Sequence, residues 1–291
     1  MRIKKWLKAN TETLAGRTVA ISGATGGIGR HLCEDLASLG ASLILLDRNS
    51  ERSLALIREL KERHEGLVAR HIRLDLEDMS CVRSVSEQLL YEAPHYLILN
   101  AGAYSIPRHK TDCGLDNVFQ INFAAPYYLA RTLGEDLRSR GGKVVAVSSI
   151  AHNYSHINES DIDFSGENRA SKVYGNAKRF LTYSLLGAFS DGGGLSVVHP
   201  GITFTNITAH YPKLIFAIIK YPMKLIFMPA RRAALCILRG VFEDCEDWEW
   251  IGPRIFNVWG FPKKMRLRTA SESEARRICE ISERIFLESR G

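Results

Sequence analysis

The sequence predicts an α/β protein built on a doubly wound parallel β-sheet with helices on both faces. Three observations carry this. Short apolar runs alternate with longer helix-period stretches from residue 17 to about 200, the order that a parallel sheet with crossover helices imposes. The runs are rich in Val, Ile and Leu throughout, as strands buried on both faces must be. Glycines mark the junctions: Gly40, Gly114, Gly141, Gly142 and Gly192 to Gly194 sit where the chain reverses. At 291 residues and 45% hydrophobic composition the chain can bury one large core, so we read residues 1–291 as a single domain.

In order along the chain, strands are expected near Thr18 to Ser22, Ser42 to Leu46, Leu67 to Arg73, Tyr96 to Leu99, Lys143 to Ser148 and Leu195 to Val198. Between them, Ile28 to Leu39, Ser50 to His64, Asp78 to Leu90, Leu115 to Ser139 and Ser171 to Phe189 repeat apolar residues at helix spacing. Pro126 lies inside the fourth helix and is expected to bend it. After Pro200-Gly201 the alternation stops. Residues 202–232 hold two apolar patches, Leu214 to Ile219 and Leu225 to Met228, divided by Lys220, Pro222 and Lys224. A membrane span needs roughly 20 apolar residues in a row, so neither patch crosses a bilayer. We expect the insert to cover an apolar substrate pocket with Tyr104, Tyr154 and Phe204 near its rim; ordinary helix packing is the competing reading. A strand near Arg254 to Val258 and a helix from about Ser271 to Glu288 complete the chain.

Composition narrows the function. The six cysteines form no Cys-x-x-Cys pair, which argues against a zinc site or a disulfide framework and for a reducing setting. Met1 to Lys8 is basic without an apolar stretch, unlike a secretory leader, and a cytoplasmic location is expected. The net charge is +7, with basic residues concentrated at the two ends. No nucleic-acid motif accompanies them, so solvated termini are the simpler reading, weak peripheral contact with a membrane stays open, and no nucleic-acid partner is expected.

The chemistry starts at Ser22-Gly23-Ala24-Thr25-Gly26-Gly27-Ile28-Gly29, between the first strand and the first helix. Glycines there let a pyrophosphate approach backbone N–H groups at a helix N-terminus, a Rossmann-type arrangement; a turn that merely needs positive φ is the plainer alternative. Asp47 and Arg48 end the second strand, where such folds read the adenosine ribose. The acid favours NAD(H), because it binds ribose hydroxyls and repels a 2′-phosphate; the arginine makes NADP(H) possible. Tyr174 and Lys178 are four apart on a predicted helix and share a face. A nearby ammonium favours phenolate and so tunes a phenol for proton transfer. Such pairs are common on helix surfaces, but Val144 to Ser149 is a strand ending in two hydroxyls, and Asn100-Ala101-Gly102 leaves the same sheet edge.

With these residues in order, the chain resembles the short-chain dehydrogenase/reductase family over residues 17 to 205. The match comprises the glycine-rich pattern with Ser22 in place of Thr, Asp75-Leu76, Asn100-Ala101-Gly102, Asn122, Ser149, Tyr174, Lys178, and Pro200-Gly201 followed by Thr205. Ser148 to His152, Asp161 to Phe164 and His199-Pro200-Gly201 look like the retinol-dehydrogenase branch. The resemblance implies that Tyr174 is the general acid/base and that Ser149 binds the substrate oxygen. It implies that Lys178 holds the nicotinamide ribose and lowers the Tyr174 pKa, and that Asn122 supports a proton relay. It further implies that Asp75 reaches the adenine and Thr205 the nicotinamide end. Leu99 and Ala125-Pro126 depart from the family pattern, as does Asp47, where that branch often has a small residue. The expected function is alcohol–carbonyl interconversion on a hydrophobic small molecule by a homo-oligomeric enzyme. A catalytically silent dinucleotide sensor or scaffold is the alternative from another class.

Overall fold

A computed structural model of the chain describes residues 2–191, 193–203, 227–245, 248–267 and 270–290. Among the described residues eight strands, β1 (Thr18–Ser22), β2 (Ser42–Asp47), β3 (Ala69–Arg73), β4 (Tyr96–Leu99), β5 (Lys143–Val147), β6 (Leu195–Val198), β7 (Glu249–Ile255) and β8 (Trp259–Arg266), form one sheet of order β3-β2-β1-β4-β5-β6-β7-β8. All neighbours are parallel except β7 and β8, which form an antiparallel hairpin. Strand order reverses between β1 and β4, and that reversal opens a crevice at the carboxyl ends of the strands.

Among the described residues the α-helices are α1 (Ile3–Asn10), α2 (Gly27–Ser38), α3 (Ser50–Arg63), α4 (Met79–Glu92), α5 (Asn117–Phe119), α6 (Ala125–Ser139), α7 (Ala170–Ala188), α8 (Ala230–Phe242) and α9 (Glu272–Ser289). They cover both faces. One apolar core joins the sheet to α4, α6, α7 and α9 through residues such as Val82, Tyr127, Phe180 and Ile278. The other joins it to α1, α2, α3 and α8 through Trp6, Leu32, Leu56 and Leu235. Strands covered on both faces account for the unbroken Val, Ile and Leu of β1, β2, β5 and β6.

Three features differ from the sequence reading. The basic N-terminus is helical, and Trp6, 2% exposed, stacks on Phe261 of β8 with ring centroids 6.4 Å apart. The strand expected at Arg254 to Val258 straddles a turn: β7 ends at Ile255, Val258 N–H donates to Ile255 C=O, and β8 returns from Trp259. Pro126 follows a π-helical segment, Gln120–Ala124, and occupies the first turn of α6. Proline has no N–H to give, and the wider π turn relieves the clash with the preceding turn.

Of the 202–232 insert, the described ends are tied together: Thr203 forms a parallel bridge with Met228, which is fully buried, and α8 starts two residues later. The apolar patch Leu214 to Ile219, the first half of the second patch, and Phe204 and Thr205 lie outside the described residues. Among the described residues no helix is long and apolar enough to cross a membrane, and no His, Cys, Asp and Glu cluster fits a metal ion.

Candidate active site

At the crevice, Ser22 closes β1 by accepting hydrogen bonds on Oγ from the Asn100 and Ala101 N–H groups, both 3.0 Å. Asn100 Nδ2 returns bonds to the Ser22 and Gly23 carbonyls, also 3.0 Å. This knot pins the glycine-rich turn to the end of β4. Gly23 has φ +69°, and a Cβ on Gly29 would stand 2.2 Å from Gly23 O. Only glycine allows the turn to fold this tightly against the start of α2.

Asp47 is buried below that turn, 6% exposed. Its Oδ1 accepts from Thr25 N–H (3.3 Å) and Thr25 Oγ1 (3.0 Å), and its Oδ2 from Ser53 Oγ (3.0 Å). Arg48 is the opposite case, its side chain 67% exposed and 3.5 Å from Glu77. Asp75 caps its own turn by accepting from Glu77 N–H at 3.2 Å, and Leu76 C=O accepts from buried Gln120 at 3.1 Å. Asp47, Arg48, Asp75 and Leu76 therefore stand at the ends of β2 and β3, beside the cavity described next rather than on its walls.

That cavity, about 790 Å³, runs from the glycine-rich turn along Asn100, Ala101 and Gly102 to Ser149, Tyr174 and Lys178, and ends at Pro200 and Gly201. Tyr104 and Tyr154 line it as expected; Ile202 and Phe227, at the described ends of the insert, also line it. Ser149 begins a 3₁₀ turn, Ile150–Tyr154, and its Oγ accepts from Ala151 N–H at 3.2 Å. The hydroxyl proton stays available as a donor. Tyr174 and Lys178 lie one turn apart on α7, with Lys178 Nζ 5.8 Å from the Tyr174 ring centre. Lys178 Nζ donates to Val147 C=O at 2.9 Å. Asn122, in the π segment, donates from Nδ2 to Ala103 C=O and Val118 C=O, both 2.8 Å, and accepts from Ala103 N–H. A Cβ on Gly102 would lie 2.7 Å from Asn122 Oδ1 and 3.7 Å from Lys178 Nζ. Asn122 thus stands behind Gly102, one layer from the cavity.

Burial drives the two titrating groups apart. The Lys178 ammonium is brought down to about 7. The Tyr174 hydroxyl is pushed up to about 12 by burial, with Ser149 hydrogen bonding opposing the rise and Tyr104 adding to it. Burial disfavours the charged form of each group, and the Lys178 ammonium is directed to Val147 C=O at 2.9 Å.

Two supports go beyond the sequence reading, which placed Tyr104 only at the pocket rim and gave Arg179 no role. Tyr104 meets the Tyr174 ring edge-on, centroids 5.3 Å apart. Arg179, fully buried beside Lys178, donates to His152 C=O at 3.0 Å and to Glu274 of α9 at 2.6 and 2.8 Å, so the C-terminal helix braces the 3₁₀ turn that carries Ser149. Separation in sequence of 95 residues hides such a pair.

The residues fit a dinucleotide: a turn whose close approaches only glycine tolerates, a helix N-terminus, and a cavity in the size range of cofactor sites converge at one strand reversal. A fold and site of this kind define the Rossmann-type, dinucleotide-binding class of proteins. The short chain dehydrogenase family model matches residues 17–160. Human retinol dehydrogenase 14 is 30% identical, the match covering 92% of this chain and 85% of that protein. Human polyprenol dehydrogenase is 28% identical over 67% of this chain and 63% of its own length. A crystal structure of an uncharacterised protein from Mycobacterium Paratuberculosis superposes with a TM-score of 0.75, at 24% identity and covering 96% of each chain. The chain belongs to the short-chain dehydrogenase/reductase family.

Proposed function

We propose that this protein interconverts an alcohol and a carbonyl on a hydrophobic small molecule, with Tyr174 as the general acid/base. The observation that carries the reading is that Ser149, Tyr174 and Lys178 share one cavity wall with the glycine-rich turn. A nicotinamide dinucleotide, when bound, supplies or accepts the hydride. The chain's own residues manage the oxygen. Ser149 donates a hydrogen bond to it, and Tyr174 moves the proton to or from it. A phenol pushed up to about 12 is protonated at neutral pH, so it can donate a proton to a carbonyl oxygen; the reverse reaction returns the proton to it. Lys178 binds the nicotinamide ribose, and Asn122 holds the loop at Gly102 against it. Tyr104, Tyr154, Ile202 and Phe227 supply the apolar wall that favours a hydrophobic substrate.

For the cofactor, the proposal is NAD(H). Thr25 and Ser53 clamp the Asp47 carboxylate, so it cannot swing aside for a 2′-phosphate, whereas exposed Arg48 can. The test is binding of the four nicotinamide cofactors followed by turnover over a panel of apolar alcohols and ketones. Tight cofactor binding with no turnover anywhere would instead favour a silent sensor.

A further inference from the structure

The turn joining β7 and β8 is built against local preference. Phe256 and Asn257 have φ of +50° and +58°, the left-handed backbone of a type I′ turn, which Asn-Gly adopts readily and a bulky aromatic does not. The same Phe256 is 89% exposed, and Ile255 beside it 48%. Backbone strain and an apolar side chain in water both cost free energy.

The surroundings are basic. Residues 250–271 hold five basic residues and no acid. Among the described residues at the hairpin, Arg254 is exposed, and Arg232 lies over the Trp259 ring at 4.5 Å. The acidic partner on the hairpin, Glu249, sits at its far end, paired with Lys264. The tip also adjoins the candidate active site: Asn257 C=O accepts from His199 Nε2 at 2.9 Å, and a Cβ on Gly201 would lie 2.8 Å from Val258 O.

We propose that the β7–β8 tip docks this protein onto the surface of an anionic lipid bilayer, with Phe256 and Ile255 entering the headgroup boundary and the basic flanks meeting lipid phosphates and carboxylates. An apolar tip beside exposed Arg254, on a hairpin that also exposes Lys263 and Arg266, matches that surface, since burial of apolar side chains and attraction to anionic lipid add. A soluble polyanion would use the charges and leave Phe256 without a role. Docking by the tip sets the Pro200-Gly201 end of the cavity beside the lipid; delivery of an apolar alcohol from there rests on the proposed activity, whereas docking itself does not.

The experiment is co-sedimentation of the full chain with phosphatidylcholine vesicles with and without phosphatidylserine, in the absence of cofactor and substrate, so its failure is separate from failure of the enzymatic reading. Wild type is expected to bind the phosphatidylserine vesicles and to be released by salt. Phe256→Asn suits the left-handed turn, so its Tm should equal or exceed the wild-type value while its vesicle partitioning falls roughly tenfold. Arg254→Glu should cut partitioning by roughly fivefold or more. Wild type that stays in solution, or Phe256→Asn that sediments as wild type does, overturns the proposal. Binding to heparin as tight as to vesicles, and insensitive to Phe256→Asn, overturns it in favour of an acidic polymer.

Discussion

Tyr174 and Lys178 show how one helical turn can place two groups together and still leave their charges to burial. With the phenol held up at about 12 and the ammonium down at about 7, the protonated phenol is the resting form at neutral pH. Tyr174→Phe keeps the ring contact with Tyr104 and removes the proton, so kcat should fall roughly 10²-fold or more with cofactor affinity little changed. Turnover and cofactor titration on the same variant check this, and near-wild-type kcat would contradict it. Lys178→Ala should differ by weakening cofactor binding as well as turnover. Asp47 gives a second residue-scale expectation. If its clamped carboxylate excludes a 2′-phosphate, Asp47→Ala should move the ratio of dissociation constants towards NADP(H), and Ser53→Ala should move it the same way by less. A wild-type preference for NADP(H) would refute the reading.

At the scale of elements, what the sequence reveals depends on how much of an element's environment is local. β1, β2 and β4 to β6 were legible because burial on both faces writes itself as an unbroken apolar run, and the glycine-rich turn because its spacing is its geometry. The helix α1 was not: Lys4, Lys5 and Lys8 read as a solvated tail, and the single buried anchor, Trp6, is explained only by Phe261 far along the chain. The hairpin hid for a related reason, since its turn carries Phe256-Asn257 where the recognisable signal is Asn-Gly. At the site, the residues of the Tyr174 cluster were readable, but not the clamp on Asp47 by Ser53, nor Asn122 caught in a π turn. The anchoring of α1 makes a prediction. Trp6→Ala should cost about 3 kcal/mol, the usual scale for truncating a buried aromatic, read as a lower urea midpoint. A midpoint unchanged from wild type would mean that α1 contributes nothing to the fold.

Over the whole molecule, the buried titrating groups set how stability follows pH. His152 and His199 are lowered by burial to about 4 and about 3, against an ordinary value of 6.5, and burial lowers His31 and His95 as well. Their unfolded forms take up protons first, so the stability present above pH 6.5 is lost as pH falls towards those lower values. Lys178 works in a second window. Its ordinary value is 10.5 and its folded value about 7, so between those limits the unfolded chain binds a proton that the fold does not, and stability climbs as pH rises. The climb has an upper bound, because burial raises Cys33, Cys236 and Cys245 above 9.0; above that pH their unfolded thiols ionise first and stability falls. Tyr127 and Tyr174, both pushed up to about 12 from 10.0, add to the fall at higher pH still. The protein should therefore gain about 2 kcal/mol between pH 7 and 9 from Lys178 alone. Lys178→Met should unfold at a higher urea concentration than wild type at pH 7 while having lost cofactor binding, because it removes a buried charge without removing bulk. Urea midpoints for both proteins from pH 7 to 9, above the histidine window, decide the matter: the rise should be present in wild type and absent in Lys178→Met, and an equal rise in both would show that Lys178 titrates as an ordinary lysine in the fold.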